Sequence, residues 1–164
     1  MASLASFLGL NPGATNKVPS YLIWNFIYAY GILSSRGIKV LLKLDHNVAP
    51  REDVAKYGER AVKSGKITEA QLAFVKRNEA AHANRVEHFA MFAASTVLAA
   101  STGVPNEVVN KACLVYTLLS LSYGAVYLLI TNPALSYLRS VLWWGGNATC
   151  FYLLSQAGKK LNSS

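Results

Sequence analysis

The stretch ACLVYTLLSLSYGAVYLLITNPALSYL, residues 112–138, decides the fold, because it runs from end to end without a charged side chain. About 20 such residues suffice for a helix to cross a hydrocarbon core of roughly 30 Å. Three more uncharged runs, 18–35, 89–106 and 140–158, reach that length with their flanks. None shows the period-two alternation of a membrane strand, and a barrel needs at least about eight of those. The expectation is all-α: a four-transmembrane-helix bundle forming a single domain over residues 1–164.

Composition points the same way. Hydrophobic residues make up 52% of the chain and charged residues 15%, against about 25% charged in an average soluble domain. Too few charges remain to wet the outer faces of a soluble helical protein of this size, which excludes a freely soluble globule and excludes disorder. The net charge of +8 invites a nucleic-acid reading. Its distribution argues against one, since eight of the 16 Lys and Arg lie within 36–66, between two apolar spans. Such clusters mark the cytosolic side and the anionic leaflet. Membrane lipid is therefore an expected partner and nucleic acid is not.

Local signals divide the chain further. The first helix is expected to begin at Pro19 and Ser20, and the mixed-charge segment DHNVAPREDVAKYGERAVKSGK, 45–66, reads as a solvated loop. Thr68 and Gln71 form a capping-box pattern, from which a second helix runs without Gly or Pro to Thr102. That helix is longer than one bilayer crossing. Lys76, Arg77, Glu79, Arg85 and Glu87 would each cost about 2.5 to 3.5 kcal/mol at a membrane centre. Its first half must therefore project from the membrane or line a wet cavity. Gly103, Val104 and Pro105 close one tight hairpin; Asn132 and Pro133 close the other and start the fourth helix, with Arg139 in its early turns.

Four crossings with a cytosolic loop place both termini in the lumen. The sequons at Asn147 and Asn162 are expected to stay unmodified, one within an apolar helix and one at the extreme tail. Cys113 and Cys150 have no CxxC or His neighbour and read as packed small hydrophobes. The first residues, MASLASFLGLNPG, lack a basic n-region and are not read as a signal peptide.

Chemistry concentrates on the second helix. Arg77 and Asn84 share a face, His88 lies one turn beyond Asn84, and Glu87 falls beside that stripe. Cation, amide and carboxylate entering a membrane together form either a polar pocket or interhelical glue. Tyr116, Ser120, Tyr123 and Tyr127 share one face of the third helix, lining a site or packing an interface. Trp143 and Trp144 read as anchors without chemistry. Arg139, the one charge between Lys111 and Lys159, is either a snorkelling anchor or the stabiliser of an anion such as a thiolate.

With EAAHANRVEHFAMF in the second helix, the pair Tyr123 and Tyr127 in the third and RSVLWW in the fourth, the chain resembles the membrane-associated proteins in eicosanoid and glutathione metabolism, known as MAPEG. The resemblance implies a multi-pass homotrimer of the endoplasmic reticulum with glutathione held between adjacent subunits. It implies that Asn84, Glu87, Tyr123 and Tyr127 bind the tripeptide, with His88 beside them. Arg77 and Arg36 would meet its carboxylates, and Arg139 would stabilise the thiolate with Ser140 alongside. The expected activity is that of a microsomal glutathione transferase-like enzyme acting on a lipophilic small molecule by conjugation, peroxide reduction or isomerisation. Two positions depart from the family's pattern: Ala80 stands four residues before Asn84 where an Arg is usual, and Ser120 where a basic residue is frequent. Each absent cation removes a charge-assisted bond worth roughly 1.5 to 3 kcal/mol. Those departures keep open a glutathione-independent isomerase or cyclase on the same scaffold, and a non-catalytic lipid-binding protein.

Overall fold

The computed structural model describes residues 3–163. Met1 and Ala2, at the start of the N-terminal segment, and Ser164, at the end of the second sequon, lie outside the described residues. The described residues form helices and no strand: α1 (Leu4–Phe7), α2 (Val18–Phe26), which continues through a π-helical turn (Ile27–Ile32), α3 (Arg36–Leu41), α4 (Asp53–Lys63), α5 (Glu69–Ser101), α6 (Asn106–Leu129), α7 (Pro133–Ser136) and α8 (Leu138–Leu161).

The local signals act as expected. Thr68 Oγ1 accepts from the Gln71 backbone amide at 3.1 Å, while Gln71 Oε1 accepts from the Thr68 amide at 2.8 Å, which starts α5. After α5, Gly103 takes φ +78°, a left-handed conformation that glycine adopts without Cβ strain, and the chain turns directly into α6. Asn132 Oδ1 accepts from the amides of Ala134 and Leu135, but the helix it caps is the separate short α7 and not the fourth long helix expected to start there. That short turn precedes α8, so Arg139 is the second residue of its helix.

Helices α5, α6 and α8 pack on one another, and α2 with its π turn lies against α5 and α6. The α5 residues that face inward are Ala81, Arg85, His88, Phe92, Ser95 and Ala99, a stripe at helical spacing. Phe92 stacks on Tyr116 of α6 with ring centroids 3.8 Å apart, beside Cys113, Cys150 and Leu153. Both cysteines are free and buried, as their sequence surroundings suggest.

The π turn has a visible cause. Its wider winding leaves carbonyls without their usual partners, and α5 supplies them: His82 Nδ1 donates to Ala29 O at 2.9 Å and Asn78 Nδ2 to Leu33 O at 2.8 Å. The turn also swings Tyr28 onto Gly124 of α6, where a Cβ would run into the Tyr28 hydroxyl.

The segment 45–66 is not the solvated loop its charges suggest. It carries α4, which docks on the first half of α5 through a second apolar cluster of Leu44, Val54, Ala61, Ile67, Leu72 and Val75. Asp53, fully buried, lies 3.7 Å from the Lys39 ammonium, which is also 3.0 Å from Glu79. The pattern is hard to read because Gly58 interrupts α4, at about 1 kcal/mol relative to Ala. The close approach of Leu72, which a Cβ at Gly58 would displace, explains the glycine.

By length and apolarity, α6, with mean hydropathy 1.7, is the one helix among the described residues that qualifies as a membrane crossing. Large apolar side chains nevertheless stand exposed on every long helix, among them Ile23, Val97, Leu118 and Phe151. A surface of this kind needs a cover of lipid or protein.

Candidate functional site

Two open grooves hold most of the polar side chains that the sequence singles out. The first, of about 510 Å³, is bounded by α5, α6 and the α7–α8 junction and is lined by Asn84, Tyr123, Tyr127, Arg139, Ser140, Trp143 and Trp144, among others. Asn84 Nδ2 donates to the Tyr123 hydroxyl at 2.8 Å. That oxygen is thus an acceptor in this bond, and its own proton is not used by Asn84. The Tyr123 and Tyr127 rings meet edge to face with centroids 5.6 Å apart. Arg139 lies over Tyr127, its Cζ 4.5 Å from the ring centroid, and its Nε donates to Ser136 O at 3.1 Å. Among the described residues lining this groove, Arg139 is charged and none is acidic. Its chemistry suits an anion.

The second groove, of about 480 Å³, lies where α3, the following loop and α5 meet. Its walls carry both signs: Arg36, Lys39 and Arg51 against Glu79 and Glu87, with His82 between them. Arg36 donates to Asn47 and lies 3.6 Å from Asp45. A carbonyl only accepts, so His82 Nδ1 is the donor in its bond to Ala29 O. A groove of this kind matches a zwitterion.

A model of the MAPEG family matches residues 20–159. The chain belongs to the MAPEG family. No curated protein and no solved structure matches it. Membership makes it an integral membrane protein, in a family whose members generally use glutathione as substrate or cofactor. Every groove residue of this MAPEG protein lies inside the matched span, whereas α1 and the segment up to Pro19 precede it.

The fold divides the expected site residues into three places. Asn84, Tyr123, Tyr127, Arg139 and Ser140 share the first groove. Arg36 and Glu87 line the second. Arg77 and His88 line neither: Arg77 lies against Phe74, with its Cζ 5.9 Å from the ring, and His88 is buried with Nδ1 2.9 Å from the Tyr116 hydroxyl. Within the tyrosine stripe, Tyr116, Ser120 and Tyr123 are all buried, and of these only Tyr123 also lines the first groove, beside Tyr127.

Sequence reasoning missed several residues. Trp143 and Trp144 wall the first groove although they read as anchors. His82, Lys39 and Arg51 line the second. Arg85 is 4% exposed inside the bundle, on the Tyr116 hydroxyl. A signal for Arg85 exists: counting back one heptad at a time from the apolar Ala99 through Phe92 lands on it.

Proposed function

We propose that this MAPEG protein is a glutathione-dependent membrane enzyme that acts on a lipophilic electrophile, working as a homotrimer of four-span protomers in the endoplasmic reticulum. The observation that carries the reading is the convergence of Asn84, Tyr123, Tyr127, Arg139 and Ser140, from three helices, on one groove without an acidic wall.

Charge matching supports it. Glutathione carries two carboxylates, one ammonium and a thiol. The first groove offers a cation and hydroxyl donors for an anionic sulfur, and the second offers Arg36 and Arg51 for carboxylates and Glu79 and Glu87 for an ammonium. The two flank the exposed α5 ridge at Ala83 and Glu87. A second copy apposed there joins one protomer's anion groove to its neighbour's zwitterion groove.

Bound glutathione supplies a sulfur nucleophile. Asn84 occupies an acceptor site of the Tyr123 oxygen and leaves the phenol proton to be donated to the ligand, and the Arg139 guanidinium, fixed by Ser136 O, sets positive charge beside it. Ser140, on the next residue of α8, adds a hydroxyl donor. Trp143 and Trp144 give the groove an apolar wall against which a lipophilic partner packs.

The test is ligand-induced stabilisation of the purified protein in detergent. Glutathione at 100 times its Kd adds about 2.7 kcal/mol by mass action, which raises Tm. No shift at millimolar glutathione, with the trimer intact, would refute glutathione dependence. It would favour the isomerase reading instead, for which Ala80 is the specific observation.

A further inference from the structure

Arg85 follows Asn84 directly, yet a rotation of about 100° per residue turns it from the groove into the bundle. Its Nη2 donates to the Tyr116 hydroxyl at 2.6 Å, and its Cζ lies 5.2 Å from the Tyr116 ring centroid and 5.9 Å from that of Tyr123. Its Nε is buried without a hydrogen-bond partner, and no carboxylate pairs with it among the described residues. Arginine does not shed its proton, so this is a permanent charge enclosed without a counter-charge. Its polar neighbours, Tyr116 and His88, are no substitute for an anion.

The adjacent first groove is a place from which negative charge can reach Arg85. Tyr123, whose ring centroid is 5.9 Å from the Arg85 Cζ, also lines the first groove, which is open and carries no acidic residue among its described lining. Arg139 flanks Tyr127 on the other side of the same ring pair. Two cations therefore bracket two phenols, one from the core and one from the surface.

We propose that Arg85 is the second cation of this groove, a positioning residue that acts through Tyr123 to favour an anionic sulfur group, thiolate or sulfonate, bound at the Tyr123 hydroxyl. That the sulfur belongs to glutathione rests on the function proposed above; the anion preference rests on Arg85 and the acid-free wall.

The chain has three tryptophans, two of which line the groove. In full-length protein carrying Trp24→Phe, fluorescence therefore reports on Trp143 and Trp144. Iodide is the anionic quencher and acrylamide the neutral one. Arg85→Gln is expected to lower the iodide quenching constant at least threefold and leave that of acrylamide unchanged, while Arg85→Lys retains iodide quenching. Arg85→Met, with apolar atoms of similar volume, is the second variant if Gln fails to fold. An unchanged iodide constant, or a parallel fall in both constants, overturns the proposal.

A calorimetric arm compares glutathione sulfonate with S-methylglutathione. Arg85→Gln is expected to weaken the sulfonate tenfold and the thioether less than twofold; equal loss counts against the proposal. If neither compound binds the parent protein, the glutathione reading falls, and the iodide result still decides the role of Arg85.

Discussion

Asn84 and Tyr123, on different helices and 39 residues apart, are joined by a 2.8 Å hydrogen bond in which the amide donates to the phenol oxygen. The bond gives the phenol oxygen the acceptor role, so its own proton is not spent on Asn84. An acceptor at that oxygen would turn the proton away from the groove, whereas a donor leaves it for a ligand.

Asn84→Leu should therefore weaken glutathione binding about tenfold, the loss of roughly one well-placed hydrogen bond. Tyr123→Phe should do the same, and the double variant should lose little more than either single one. Calorimetry on the four proteins measures the coupling. Strict additivity of the two losses would show that the pair does not act as a unit.

Arg139 is half-buried at the start of α8 and holds no ion pair among the described residues. Arg139→Ala should leave Tm and trimer assembly unchanged and lower kcat by about 10² to 10³, the usual loss for one preorganised charge-stabilising donor. Turnover of a lipophilic electrophile, with size-exclusion analysis of the same samples, checks both parts. Unimpaired turnover would leave Arg139 a surface anchor.

Lys39 joins α3 to α4 and α5 through Asp53 and Glu79. Lys39→Met removes the cation and leaves the fully buried Asp53 with only the amide and ring of His46 as partners among the described residues, a change worth up to about 3 to 5 kcal/mol when a buried pair loses one member. Hydrogen exchange should then accelerate across 45–63 and stay slow in α6 and α8. Adding Asp53→Asn should restore part of the protection.

Gly124 accommodates Tyr28 at the π turn. Gly124→Ala forces the ring aside and should cost about 1 to 3 kcal/mol, typical of overpacking. Tyr28→Phe in the same chain, by removing the clashing hydroxyl, should recover most of it. Thermal unfolding in detergent is the measurement.

Asn110, fully buried, donates to the carbonyls of Gly9 and Thr15 and accepts from the Lys17 amide, tying the N-terminal segment to α6. Asn110→Ala should release that segment to limited proteolysis within residues 9–17 while the helical core remains resistant.

The amino-acid order by itself determined where α5 starts and where the chain turns between the long helices. The Thr68–Gln71 box, the Gly103 turn and the Asn132 cap are interactions among residues within a few positions of one another, so local chemistry suffices to specify them. It also singled out Asn84 on a polar face of the second helix, Tyr123 and Tyr127 on one face of the third, and Arg139 as the one charge between Lys111 and Lys159.

Which way each polar side chain points was decided by the tertiary structure. Asn84, Arg85, Glu87 and His88 lie within one turn of α5, yet Asn84 reaches one groove, Glu87 the other, and Arg85 and His88 the core. That division depends on where α6 and α8 press against α5, which no local spacing records. Helix α4 shows the same limit: its interleaved charges and Gly58 argue for a loop, and burial against Leu72 and Val75, distant in sequence, makes it a helix.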